Sequence, residues 1–220
     1  MTVTTTRHDT VTVLNLGDDE NRFSPDWLDR VDAALDEIEA GEPTALVTVA
    51  NGKFYSNGLD LEWLSANGEK AQWYVDRVHG LFARVLTLPV PTIAAINGHA
   101  FGAGAMLALA HDFRVMRTDR GFFCLPEVDI RIPFTPGMAA LVQAKTTPRT
   151  ATAAMTTGRR FGGPDALAAG IVDATAEESA LVTSAVGTVA PLVGKDPGTL
   201  GAIKSTMYAT TIAALTTPQS

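Results

Sequence analysis

The residues best suited to chemistry lie in the run Pro91-Thr92-Ile93-Ala94-Ala95-Ile96-Asn97-Gly98-His99-Ala100-Phe101-Gly102-Ala103-Gly104-Ala105-Met106-Leu107-Ala108-Leu109. An apolar strand pattern runs into Asn97-Gly98, then into the small residues around Gly102 and Gly104, then into an apolar helix pattern. The first N–H groups of a helix have no partner inside it, and small residues let a ligand approach the main chain. A helix N-terminus also carries partial positive charge. Together these features suit an oxygen that becomes negative during reaction and is held by backbone rather than side chains. The chemistry predicted is that of a carbonyl passing through an enolate or a tetrahedral oxyanion.

A second loop, Tyr55-Ser56-Asn57-Gly58-Leu59-Asp60, also leaves a buried strand pattern and enters a helix. Side by side, the two loops would offer two N–H groups to one carbonyl oxygen. Taken alone, each reads first as an ordinary strand-to-helix turn. A third segment, Leu125-Pro126-Glu127-Val128-Asp129-Ile130, sets Glu127 after a strand pattern and among apolar neighbours. Desolvation would raise the pKa of Glu127, as suits a proton carrier. In isolation it reads first as a surface or helix-capping glutamate. Ser56 and His99 lack the G-x-S-x-G elbow of a serine nucleophile. Cys124 falls within a strand pattern and reads as inert. His8, His79, His99 and His111 make no metal-ligand spacing. Gly102-Ala103-Gly104 is not a dinucleotide fingerprint, and no acidic residue follows at the required distance.

The elements that must position these groups follow from periodicity. Val11 to Leu16 alternates as a strand. Ser24-Pro25 caps a helix whose Trp27, Leu28, Val31, Leu35 and Ile38 share one face, with Gly41 and Pro43 as its stop. Thr44–Ala50 and Thr92–Ile96 are continuous apolar runs, as in strands buried on both faces. Phe54–Asp60 reads as a loop, and helices are predicted through Leu64 and from about Glu69 to Leu88. After the Gly-rich turn a helix runs to His111, with strands at Phe113–Arg117 and Phe122–Leu125. From Thr135 the pattern is helical, apart from a short strand at Ile171-Val172, and Pro197–Leu215 reads as one helix. The fold class predicted is α/β with a helical C-terminal region.

The 220 residues suffice for one large domain, and 46% hydrophobic with 19% charged residues marks a globular chain. A net charge of −7 argues against nucleic acid as the main partner. The lone Cys124 excludes an intrachain disulfide framework and fits a reducing compartment. No signal-peptide core opens the sequence, and polar residues interrupt the apolar runs before they could span a bilayer. A soluble, cytoplasmic protein is expected.

Four segments in order resemble the crotonase superfamily, the enoyl-CoA hydratases and isomerases. Gly52-Lys53-Phe54-Tyr55-Ser56-Asn57-Gly58-Leu59-Asp60-Leu61 is similar to that family's G-x-x-F-S-A-G-x-D-[IL] loop, and Pro91 to Gly104 to P-x-I-A-A-x-N-G-x-A-x-G-G-G. Pro126-Glu127 is followed by Pro136-Gly137, and Thr157-Gly158-Arg159 leads to the Ala166–Asp173 segment. The resemblance covers nearly the whole chain. It implies a spiral of β-β-α units over 1–175, with a helical region at 176–220 in the same domain that packs trimers or hexamers and faces CoA. Acyl-CoA thioesters are the implied ligands, with coenzyme A part of the substrate and no separate cofactor or metal.

By position, the implied oxyanion hole is the N–H groups of Leu59 and Ala103, and Glu127 is the catalytic group. The substrate and CoA site would draw on Arg22, Ser56, Asn57, Gly58, Asp60, Leu61, His99, Gly102, Met106, Pro126 and Ile130. One departure directs the reading. Hydratases of the family carry a second glutamate where this chain has Met106, so water addition is poorly served. Moving a double bond needs one carboxylate that removes a C2 proton and returns it at C4. The resemblance therefore points to the Δ3,Δ2-enoyl-CoA isomerase branch, in fatty-acid β-oxidation. The alternatives are a hydratase working with Glu127 alone, a non-catalytic acyl-CoA-binding member, and another thioester reaction using a further acid such as Asp60 or Asp129.

Overall fold

A computed structural model describes residues 3–42 and 44–217, so Pro43, the expected helix stop, lies outside them. The chain begins with β1 (Thr4–His8) and β2 (Val11–Asn15), an antiparallel pair. Then α1 (Pro25–Ala40) starts as expected: Ser24 accepts the Trp27 N–H through its side chain, and Pro25 occupies the first turn. Trp27, Leu28, Val31, Leu35 and Ile38 are all buried on its inner face.

Three passes of the chain then build the site. The first runs through β3 (Ala45–Val49) and β4 (Phe54–Ser56) into α2 (Leu61–Ala66) and α3 (Ala71–Thr87). The second comprises β5 (Thr92–Ile96), β6 (His99–Phe101) and α4 (Ala103–Ala110). The third comprises β7 (Phe113–Arg117), β8 (Phe123–Cys124) and the single turn α5 (Glu127–Ile130). Each pass gives its first strand to a six-stranded sheet and its second to a three-stranded sheet. After α6 (Pro136–Lys145), α7 (Pro148–Thr157) and α8 (Gly163–Ala168), β9 (Ala174–Ala176) closes the large sheet in the order β1-β2-β3-β5-β7-β9. The small sheet is β4-β6-β8, and every strand pairing beyond β1–β2 is parallel. This is the α/β arrangement of β-β-α turns that the resemblance implies.

Period-two alternation explains why β3 and β5 read as unbroken apolar runs. Leu46, Ala94 and Ile96 face one core with α1, α3 and α4. Ala45, Val47, Val49, Ile93 and Ala95 face the other, with Leu181, Ala185 and Val189 of α9 (Leu181–Val189). The chain ends in α10 (Pro197–Met207) and α11 (Ala209–Thr216), and α11 packs on α3 and α6. His79 ties it down through Leu215 O (3.1 Å) and Thr135 Oγ1 (2.8 Å).

Four local expectations change. β1 carries no apolar alternation and forms by pairing with β2. β4 and β6 are three-residue strands where loops were expected, held by each other and by β8. Ile171-Val172 is buried but not a strand, because its backbone is used elsewhere: both N–H groups reach Ala166 O, and Ile171 O accepts from the Arg114 guanidinium. The predicted tail helix is divided at Tyr208, whose backbone leaves helical angles and whose hydroxyl accepts from Lys145 (3.0 Å).

Candidate active site

The two loops singled out by sequence meet at a pair of glycines. Gly58 has φ +79°, and a β-carbon there would stand 2.7 Å from Phe101 O and 2.9 Å from Ala103 N. One on Gly104 would stand 2.4 Å from Ser56 O. Only residues without side chains permit this approach, and it brings the backbone at 58–59 against the N-terminus of α4.

The direction of each amide follows from the carbonyl of the same peptide. A trans peptide is planar, with its C=O and N–H opposed. Gly58 O accepts the Phe23 N–H at 2.8 Å, so the Leu59 N–H points the other way. Gly102 O accepts the Met106 N–H at 3.0 Å inside the start of α4, so the Ala103 N–H points out of the helix end. Neither N–H donates to another group of the protein among the described residues. Both residues line one cavity of about 430 Å³.

Glu127 lines the same cavity. It opens α5 after Pro126, and its side chain turns inward beside Gly102, where a β-carbon would stand 3.3 Å from Oε1. The residue is 8% exposed, and Oε2 has no hydrogen-bond partner. Burial pushes its pKa up to about 7, against a weaker opposing effect of its own backbone N–H. Met106 stands one turn beyond Ala103 on the same face of α4, buried, where it gives the cavity an apolar wall. This arrangement can polarise a carbonyl oxygen and exchange a proton with a neighbouring carbon.

The structure also brings Arg22, Asn57, Leu61, Gly102, Pro126 and Ile130 to the cavity. Arg22 sits there paired with Glu20 and Glu62. Four expected residues lie elsewhere. Ser56 is fully buried behind the loop, its hydroxyl engaged with Asn21 O and the Gly58 N–H. Gly58 is pressed against α4 rather than open to the cavity. Asp60 caps α2 by accepting the Trp63 N–H at 3.1 Å. His99 faces the aromatic rings of Phe54, Phe101 and Phe122, with centroids 4.9 to 5.6 Å away. Asp129 turns toward Gly158, where a β-carbon would stand 2.2 Å from its Oδ2.

Sequence reasoning missed Glu62, Phe101, Ile132, Pro133 and Met138, which complete the lining. Phe101 lies within the Pro91–Gly104 motif itself, and Glu62 directly follows the Gly52–Leu61 loop, so both were within reach of the motifs. Ile132, Pro133 and Met138 come from the irregular segment after α5 and the first turn of α6, where no periodic signal marks an inner face.

The fold and a cavity that joins two free amides to a buried carboxyl define a class of protein, and comparison gives its family. The model of the enoyl-CoA hydratase/isomerase family matches residues 6–219, so the chain belongs to that family and is an enzyme. Enoyl-CoA delta isomerase 3 of Arabidopsis thaliana is 40% identical over 174 residues, 74% of this chain and 72% of that protein. Carnitinyl-CoA dehydratase of Escherichia coli is 36% identical over 170 residues, 76% of this chain and 63% of that protein. A Mycobacterium tuberculosis protein described in one solved structure as a probable enoyl-CoA hydratase and in another as an enoyl-CoA isomerase superposes with a TM-score of 0.90 at 27% identity, over 97% of this chain and 91% and 93% of those chains. Among the described residues no helix is long and apolar enough to cross a membrane.

Proposed function

We propose that the protein is a Δ3,Δ2-enoyl-CoA isomerase of fatty-acid β-oxidation, converting a 3-enoyl-CoA to the trans-2-enoyl-CoA. The observation that carries this reading is a buried Glu127 carboxyl, one oxygen of which has no partner, sharing one cavity with two outward amides and the apolar Met106. The thioester oxygen accepts from the Leu59 and Ala103 N–H groups. The Glu127 carboxylate takes a proton from C2, and the electron pair spreads over C2 to C4 and the thioester oxygen as a dienolate. The Glu127 carboxylic acid then gives the proton back at C4, which leaves the double bond at C2–C3 and the carboxylate restored. Loss of one such amide in other enzymes costs about 2.7–4 kcal/mol, so the pair supplies a large part of the stabilisation. Met106 keeps an activated water from the place where a second acid would hold it.

The chain's relatedness to a carnitinyl-CoA dehydratase favours one second reading, hydration or dehydration with Glu127 alone. Incubation of 3-hexenoyl-CoA and crotonyl-CoA with the wild type and Glu127→Gln decides between them. Isomerisation that needs Glu127, with crotonyl-CoA hydration below a few per cent of its rate, supports the first. Equal isomerisation by both proteins ends it. Tight CoA binding without turnover of either substrate selects a non-catalytic binding member. The reading includes a reducing, cytoplasmic setting, motivated by the lone buried Cys124 thiol. It also includes a homotrimer or hexamer packed through residues 176–220, and no cofactor beyond the coenzyme A of the substrate.

A further inference from the structure

Ser56 is buried and does not line the cavity, yet its hydroxyl links Asn21 to the loop that carries Leu59. Its hydroxyl donates to Asn21 O at 2.7 Å and accepts the Gly58 N–H at 3.0 Å. Asn21 is fully buried with φ +49°, a conformation that asparagine tolerates better than most residues. Its side-chain amide donates to Phe54 O (3.3 Å) and Tyr55 O (3.2 Å), the first two residues of β4. The next residue but one, Phe23, donates its N–H to Gly58 O, and its ring is stacked on Trp27 at 4.6 Å. Asn57 N–H reaches Glu20 O at 2.8 Å. Residues 20–23 thus grip 54–58 along their length. The peptide that ends in the Leu59 N–H is held on one side only, through Gly58.

We propose that Ser56 and Asn21 are positioning residues: a buried chain of hydrogen bonds from Asn21 through Ser56 to Gly58 aims the Leu59 N–H at the substrate oxygen. This inference rests on the isomerase reading and adds to it residues that never touch substrate. The oxygen of an enolate gains more from an aimed donor than a ground-state carbonyl does. Loss of aim therefore lowers kcat and leaves binding, set by the rest of the cavity, nearly unchanged. Ser56→Ala removes the acceptor for Gly58 and the donor to Asn21 at once. Asn21→Gly keeps the left-handed backbone and the carbonyl that serves Ser56, and removes the two side-chain bonds to β4.

Two measurements separate aiming from plain structural support: steady-state kinetics with 3-hexenoyl-CoA, and the carbonyl 13C shift of bound trans-2-hexenoyl-CoA labelled at C1. For Ser56→Ala the expected result is a kcat lowered about tenfold to a hundredfold with KM within about threefold. The downfield carbonyl shift of the bound ligand shrinks in parallel. Asn21→Gly moves both readouts the same way by less, and decides the matter if Ser56→Ala does not fold. Glu127→Gln loses turnover and keeps the full carbonyl shift. A folded Ser56→Ala with wild-type kcat or an undiminished shift overturns the proposal, as does Asn21→Gly with both unchanged. Turnover by Glu127→Gln at the wild-type rate would instead overturn the isomerase reading, while the carbonyl shift still judges the positioning role.

Discussion

The Glu127 carboxyl and the Gly102 α-carbon are close neighbours: a β-carbon on Gly102 would stand 3.3 Å from Glu127 Oε1. Gly102 also has φ +53° and ψ −123°, angles that a residue with a side chain rarely adopts. One residue thus precedes the second outward amide and leaves room for the acid. Gly102→Ala is expected to lower kcat at least a hundredfold and to destabilise the fold by about 1–3 kcal/mol. The isomerase assay and a denaturant titration read the two effects separately, and wild-type turnover by Gly102→Ala would count against the close approach.

The pH dependence follows from the buried carboxyl. In the proposed reaction Glu127 acts first as a base, and its pKa is raised by burial to about 7. kcat/KM for 3-hexenoyl-CoA is therefore expected to rise with pH through about 7 and level off above it. A profile already flat from pH 5 would show that Glu127 titrates as an ordinary surface acid.

The same shift bears on stability. The folded carboxyl holds its proton to about pH 7, whereas the unfolded one releases it near the ordinary value of 4.5. Between those values the folded state binds more protons, so stability falls as pH rises through the window. Glu127→Gln, which never ionises, should match the wild type near pH 4 and exceed it above pH 7 by about 3 kcal/mol. Urea melts of both proteins at pH 4.5 and pH 8 test this, and equal midpoints at pH 8 would contradict it.

Met106 is where the chain parts from a two-acid site. Its side chain is buried on the cavity wall, one helical turn from Ala103. Met106→Glu places a second carboxyl there, and crotonyl-CoA hydration is expected to rise at least tenfold while isomerisation of 3-hexenoyl-CoA falls. The burial of another acid should also lower stability by about 1–3 kcal/mol. Unchanged hydration would argue that features beyond this one side chain exclude water chemistry.

Far from the cavity, Lys204 of α10 is buried with Asp112 at 2.6 Å and with Leu88 O and Val90 O at 3.0 and 2.8 Å. Removing one partner of a buried ion pair strands the other, at a cost of about 3–5 kcal/mol. Lys204→Met is expected to lose stability in that range by denaturant titration, with KM for 3-hexenoyl-CoA within about twofold of wild type. A loss below about 1 kcal/mol would show that Asp112 is rescued by solvent.

Local pattern determined a good deal by itself. Ser24-Pro25 and the spacing of Trp27, Val31, Leu35 and Ile38 specify α1, because a cap and a 3.6-residue apolar stripe act within one element. The unbroken apolar runs of β3 and β5 specify strands covered on both faces. The loops at 55–60 and 98–104 and the acid at Glu127 were legible as chemistry, since glycine, small residues and an acid among apolar neighbours are local signals. Tertiary structure decided the rest. β4 and β6 have three residues each, too few for a period, and exist through their partners in the small sheet. Nothing along the chain tells that Ser56 turns away from the cavity while Asn57 and Leu59 line it. Nor does it tell that Asp129 leaves the site while Glu127, two residues earlier, enters it. The direction of a side chain or a peptide N–H depends on what packs against its other side, and those neighbours, such as Phe23 for Gly58, come from distant parts of the chain.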